Sequence, residues 1–155
     1  MDTRRTLRGA TGPLEPLTFI DTNVWVYVCD GSEPVKQATA TRFLARVARP
    51  VISAQVMAEF HSVATRKLRP PMDDRGVRLM LEQIAAVPVV PITADLVLEA
   101  QRLRLAHQLS TWDALIVAAA LNAGCDRVAS EDLAAGANLA GVTVENPFAD
   151  LADQR

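Results

Sequence analysis

Between residues 17 and 144, short runs rich in β-branched and aromatic residues alternate with longer stretches whose apolar residues return every three or four positions. Residues 17–20, 50–53, 87–92, 127–129 and 142–144 read as five strands. Between them, Ala40, Phe43, Leu44 and Val47 form one helical stripe, and Val77, Met80, Leu81 and Ile84 form a second at i, i+3, i+4, i+7. Leu96, Ala100 and Leu103 give a weaker third. A strand followed by a long helical crossover and another strand favours parallel pairing, with helices covering the sheet. The pattern therefore predicts an α/β domain with a mostly parallel central sheet and helices on both faces.

The stretch from Asp113 to Leu121 is apolar on every side except at Asp113 itself, and Asn122-Ala123-Gly124 closes it with a helix stop signal. A helix apolar all round is a buried helix, and a carboxylate in its first turn needs hydrogen bonds, a cation or a cap. Ser110-x-x-Asp113 matches a capping box, which would satisfy it locally. Three more acids stand at comparable places. Asp21 directly follows the first strand, Asp132 follows the fourth in Ser130-Glu131-Asp132, and Glu59 lies in the helix after the second. Each has a local alternative: Asp21 as a cap for a helix beginning at Val24, Asp132 as a cap of a short turn, Glu59 as an exposed helix residue.

In open parallel sheets the functional crevice lies beyond the carboxyl ends of the strands, so Asp21 and Asp132 are expected at one edge with Glu59 and Asp113 within reach. Carboxylates brought together repel one another unless a cation is present. Oxygen donors without Cys or His suit a hard divalent ion, Mg²⁺ or Mn²⁺. His61 and His107, the two histidines, fall in helical stretches and read as surface or packing residues. A divalent ion held this way lowers the pKa of water and neutralises charge on a phosphodiester in transit, which is nuclease chemistry.

Other classes fit less well. No G-x-G-x-x-G is present for a dinucleotide. A haloacid-dehalogenase-like phosphatase needs a second acid two residues after the first, where this chain has Asn23. A receiver domain needs a lysine after a late strand, and none follows Lys67.

The ordered set Ile20-Asp21-Thr22-Asn23-Val24-Trp25, Ala58-Glu59-Phe60, Trp112 to Ala120 and Ser130-Glu131-Asp132-Leu133 resembles the motifs of the PIN-domain ribonucleases, specifically the VapC-like toxins of bacterial toxin–antitoxin pairs. The resemblance runs from about Leu17 to Phe148. It implies a three-layer α/β/α fold, with Asp21, Glu59, Asp113 and Asp132 as the catalytic acids that bind Mg²⁺ or Mn²⁺. Asn23, Thr111 and Ser130 become polar supporting candidates. It also implies an RNA substrate cut at internal phosphodiesters, a cognate antitoxin protein and a homodimer. Asp132 is taken as the acid facing the metal, with Glu131 as a helper. The competing reading is a PIN-like scaffold that binds RNA or protein without catalysis.

At 155 residues the chain holds one domain, placed at 17–148 between an extension at 1–16, additional to the family pattern and rich in Gly, Pro and Arg, and a polar tail at 149–155. Half the residues are hydrophobic but only 5% aromatic, so the core is built from Ala, Val, Leu and Ile. No apolar run reaches the roughly twenty residues a membrane span needs, and 1–16 lacks a signal peptide's apolar core, which predicts a cytoplasmic chain without a membrane partner. Cys29 and Cys125 stand apart in apolar stretches and read as reduced packing residues. Net charge is −2, yet Arg66-Lys67-x-Arg69 and Arg102-x-Arg104 form small basic clusters suited either to phosphates or to a solvated helix face.

Overall fold

In the computed structural model, which describes residues 14–152, a six-stranded sheet has the order β3-β2-β1-β4-β6-β5. The strands are β1 (Leu17–Ile20), β2 (Arg49–Ser53), β3 (Val89–Val90), β4 (Arg127–Ala129), β5 (Asn138–Leu139) and β6 (Val142–Glu145). The helices are α1 (Thr22–Cys29), α2 (Pro34–Arg46), α3 (Ala54–Arg66), α4 (Asp74–Ile84), α5 (Ala94–His107), α6 (Thr111–Asn122) and α7 (Ala149–Ala152). β1 pairs in parallel with β2 and β4, β2 with β3, and β4 with β6. Only β5 runs antiparallel, against β6.

Phe19, Ile20, Val51, Ile52, Val128 and Ala129 are all buried, as expected for central parallel strands covered on both faces. α1 packs on α2 and α3, and α3 on α4, forming one helical layer; α5 and α6 pack on each other as the second. The layers follow from right-handed crossovers, because the chain leaves β1 toward β2 and β3 and then returns to lay β4 on the other side of β1. The α/β class, the parallel sheet and the covering helices are as predicted.

Residues Ala114 to Ala120 of α6 are buried without a break, with the sheet on one side and α5 on the other. The alanines allow that close double contact, and transfer of so much apolar surface out of water is the main force holding the layers together. The stripe residues Val77, Ile84, Leu96, Ala100 and Leu103 are buried too.

Two strands differ from expectation. The 87–92 run pairs only at Val89 and Val90, an edge strand, because Pro88 and Pro91 lack the N–H a longer ladder requires. β5 was not foreseen. It is joined to β6 by Ala140 and Gly141, both at positive φ (54° and 104°), and an alanine gives no warning of a left-handed turn.

Of the expected extension, residues 1–13 lie outside the described part, as do 153–155 of the tail. Glu15 is anchored through its carbonyl, which accepts from Arg49 Nη1 at 3.0 Å. Leu151 of α7 packs against the core. Among the described residues, no helix is long and apolar enough to cross a membrane.

Candidate functional site

The chain order reverses between β1 and β4, and the carboxyl ends of these neighbouring strands open a crevice. Asp21 stands at the end of β1, where its N–H donates to Ala129 O at 3.0 Å. It is the N-cap of α1: Oδ1 accepts from the Thr22 N–H at 2.7 Å, while Oδ2 accepts from Ser130 Oγ at 2.7 Å. The capping role and the crevice role thus belong to the same side chain.

Glu59 reaches the crevice from the second turn of α3, whose start is capped by Ser53. Its carboxylate accepts from Thr22 Oγ1 and from Gln55 Nε2, both at 2.7 Å. Asp113 arrives from the first turn of α6. Its N–H donates to Ser110 Oγ at 3.1 Å, so Ser110 caps the helix as the capping-box spacing predicts. Asp132 follows β4, where its N–H donates to Ser130 Oγ at 3.1 Å and Oδ2 accepts from Asn23 Nδ2 at 3.2 Å.

These four carboxylates line one cavity of about 390 Å³, together with Thr22, Gln55, Ser110, Trp112 and Ile116. No basic side chain is among the lining residues. Burial, opposed by the Ser130 and Thr22 hydrogen bonds but reinforced by the charges of Glu59 and Asp132, pushes the Asp21 carboxyl up to about 6. Asp113 is also raised, first by desolvation and then by Asp132 and Glu59, against the pull of Ser110. The site has an excess of negative charge.

Glu131 points elsewhere. It accepts from Tyr27 Oη at 2.6 Å and from Lys36 Nζ at 2.5 Å. Lys36 Nζ lies 4.5 Å from the centre of the Tyr27 ring, which packs edge-on against Phe148. The neighbouring acids thus separate cleanly: Asp132 lines the cavity, and Glu131 fastens the loop after β4 to α1 and α2.

Asn23 and Ser130, expected as supporting residues, sit at the heart of this arrangement. Thr111 does not line the cavity; its neighbour Ser110 does. Sequence reasoning missed Thr22 and Gln55. Gln55 stands one helical turn before Glu59, a spacing that signals a side-chain pair only after Glu59 is placed inside. His61 and His107 stay outside the cavity, as expected. Both cysteines are free; Cys125 is buried, and desolvation pushes its thiol up to about 11, which suits a packing residue.

The donor set fits a hard cation: apart from the Trp112 indole, every polar side chain lining the cavity is a carboxylate, a hydroxyl or an amide, and none is His or Cys. Gln55 Oε1 is buried with no hydrogen-bond partner among the described residues, an acceptor in need of a donor or cation. Among the described residues, no three His, Cys, Asp or Glu side chains are drawn together tightly enough to hold an ion unaided. Hydrogen bonds from Thr22, Gln55, Ser130 and Asn23 hold the carboxylates around an open space. Such spacing suits an ion that keeps several waters and takes only one or two carboxylates directly, as Mg²⁺ does.

The family profile of the PIN domain matches residues 18–135, from β1 through the loop carrying Asp132. The chain belongs to the PIN-domain family. A search of curated protein sequences gives no match. Among solved structures the chain is similar to Mycobacterium tuberculosis VapC20, a sarcin-ricin-loop-cleaving toxin, at 23% identity and TM-score 0.60, covering 72% of this chain and 86% of that one. It is similar to a toxin–antitoxin complex from Klebsiella pneumoniae at 20% identity and TM-score 0.62, covering 84% and 98%. A third likeness is VapBC2 from Rickettsia felis bound to a fragment of promoter DNA, at 16% identity and TM-score 0.57, covering 84% and 98%. At these identities the likeness establishes the fold.

Proposed function

We propose that this chain is a divalent-metal-dependent endoribonuclease, acting in the cytoplasm as the toxin of a toxin–antitoxin pair. The observation that carries the reading is the convergence of Asp21, Glu59, Asp113 and Asp132, from four separate segments, on one cavity without a basic side chain in its lining. A structural role for four acids would call for cations beside them; a metal site calls for their absence.

Asp21, Glu59 and Asp113 would hold the ion, Mg²⁺ or Mn²⁺, through their carboxylate oxygens. When bound, the ion supplies neutralising charge to the phosphodiester and lowers the pKa of water. Asp132, oriented by Asn23, positions the attacking water and accepts its proton. Water oxygen bonds to phosphorus, the bond to the leaving ribose oxygen breaks, and a proton returns to that oxygen to release the alcohol-side product. Thr22 and Gln55 hold the Glu59 carboxylate at the cavity, and Ser130 does the same for Asp21, which would orient both acids for the ion.

The toxin assignment is supported by solved structures of similar fold that are toxins or toxin–antitoxin complexes. On that reading a co-encoded antitoxin covers the acidic cavity, and the toxin itself is a homodimer. Purified protein incubated with total cellular RNA tests the activity. Cleavage that requires Mg²⁺ or Mn²⁺ and is abolished by Asp21→Asn or Asp113→Asn is expected, with new ends mapped by sequencing. RNA binding without cleavage in either metal would replace the enzyme with a non-catalytic binding module.

A further inference from the structure

The acid cavity continues into a second of about 400 Å³, the two sharing Thr22, Glu59 and Asp132 in their linings. Together they make a trough across the carboxyl edge of the sheet. Its two ends differ in chemistry. At the acid-cavity end stands Trp112, 64% exposed although it lies in the first turn of a helix that is buried from Ala114 to Ala120. Among the exposed large apolar side chains of the described residues, Trp112 alone lines either cavity. Its backbone is held in place, since Trp112 O accepts from Gln55 Nε2 at 3.3 Å and the Ser110 cap fixes the turn.

At the far end stands Lys67, the exposed C-cap of α3, beside Ser62 and Val63. Lys67 makes no ion pair among the described residues, whereas Lys36, the other lysine, is bound to Glu131. Arg69 is folded back onto the carbonyls of Arg66 and Leu68. Arg102 is paired with Glu99 on an exposed helix face. Lys67 is therefore the member of the two basic clusters that lines the trough.

The geometry points to a track for single-stranded RNA, in which Trp112 stacks on a base to one side of the scissile phosphate and Lys67 meets a backbone phosphate on the other. This rests on the ribonuclease reading and adds two positioning contacts, one for a base and one for a phosphate. An indole face presented to solvent accepts an unstacked base of any identity, while bases inside an A-form duplex already have both faces occupied. The ammonium of Lys67 provides a point contact for phosphate without sequence information.

Binding of a fluorescently labelled single-stranded RNA, measured by anisotropy with Ca²⁺ in place of Mg²⁺, provides the test, with cleavage of unlabelled RNA in Mg²⁺ followed in parallel. Trp112→Ala should weaken binding about tenfold and Trp112→Phe much less, as base stacking predicts. Lys67→Gln should lower the slope of log affinity against log salt by about 0.7, the loss of one phosphate contact on a single strand. RNA should quench wild-type tryptophan fluorescence and leave that of Trp112→Phe unchanged, because the remaining Trp25 has its indole N–H buried. The same RNA annealed to its complement should bind weakly. Metal-dependent cleavage with unaltered RNA affinity in Trp112→Ala would overturn the track while leaving the ribonuclease. A change of oligomeric state in that variant with RNA binding intact would make Trp112 a protein contact and also overturn it. Absence of both binding and cleavage would remove the ribonuclease reading and the track together.

Discussion

Ser130 Oγ donates to Asp21 Oδ2 at 2.7 Å, a buried bond between residues 109 positions apart that ties the end of β4 to the end of β1. The same hydroxyl accepts from the Asp132 N–H, so one small side chain sets the relative position of two candidate metal-binding acids. Ser130→Ala should therefore destabilise the protein by about 1–3 kcal/mol, the cost of leaving a buried acceptor short of a partner. It should also raise the Asp21 pKa further, because the largest of the influences lowering it is lost. Urea unfolding and carboxyl-carbon NMR titration read the two effects separately.

The Asp21 carboxyl makes stability depend on pH in a defined direction. Folding raises it from 3.8 to about 6, so between those values the native chain holds a proton that the unfolded chain has released. Without metal, stability should fall as pH rises through this window and stay lowered above it, by up to about 3 kcal/mol. Asp21→Asn should remove that dependence: more stable than wild type near neutral pH in chelator, and level with it near the acid end. Urea titrations across the window check this, and parallel curves for the two proteins would remove Asp21 as the titrating group.

Asp113 distinguishes a metal ligand from a helix cap. Repulsion from Asp132 and Glu59 is relieved in Asp113→Asn, which should melt higher than wild type in chelator. Saturating Mn²⁺ stabilises only the form that binds it, by about 2.7 kcal/mol at a hundredfold excess over Kd, so the advantage should shrink or reverse. Equal destabilisation in both conditions would mean that Asp113 only caps α6.

Adjacent acids should behave oppositely. Glu131 is engaged with Lys36 and Tyr27, so Glu131→Gln should lower stability by about 1 kcal/mol or less and spare metal-dependent cleavage. Asp132→Asn should abolish cleavage with little loss of stability, since its partner Asn23 is also able to bond an amide. Steady-state cleavage rates and thermal melts of the two variants decide the assignment.

The sequence exposed the α/β class because period-2 and period-3.6 stretches alternate clearly, and it exposed the acids because Asp21 and Asp132 follow strands, Asp113 opens a buried helix and Glu59 stands among apolar neighbours in the helix after the second strand. Thr22 and Gln55 were not legible. A threonine after an aspartate and a glutamine on a helix acquire meaning only when the fold brings Glu59 to within 2.7 Å of both. The pair Glu131-Asp132 was ambiguous for the same reason, because the choice depends on Lys36 approaching from α2. The edge strands were least readable: prolines shortened β3, and an alanine at positive φ concealed the hairpin that forms β5. Tertiary contacts and unusual turn geometry, which local composition does not encode, account for these differences.

The crevice between β1 and β4 is proposed to bind a divalent cation through acids gathered from across the chain. Titration of Mn²⁺ into metal-free protein, followed by electron paramagnetic resonance of the free ion, measures this directly. Saturable binding by wild type, weakened at least tenfold in each of Asp21→Asn and Asp113→Asn and retained in Glu131→Gln, is the predicted result. Binding that is absent, or that is equally strong in all four proteins, would contradict it.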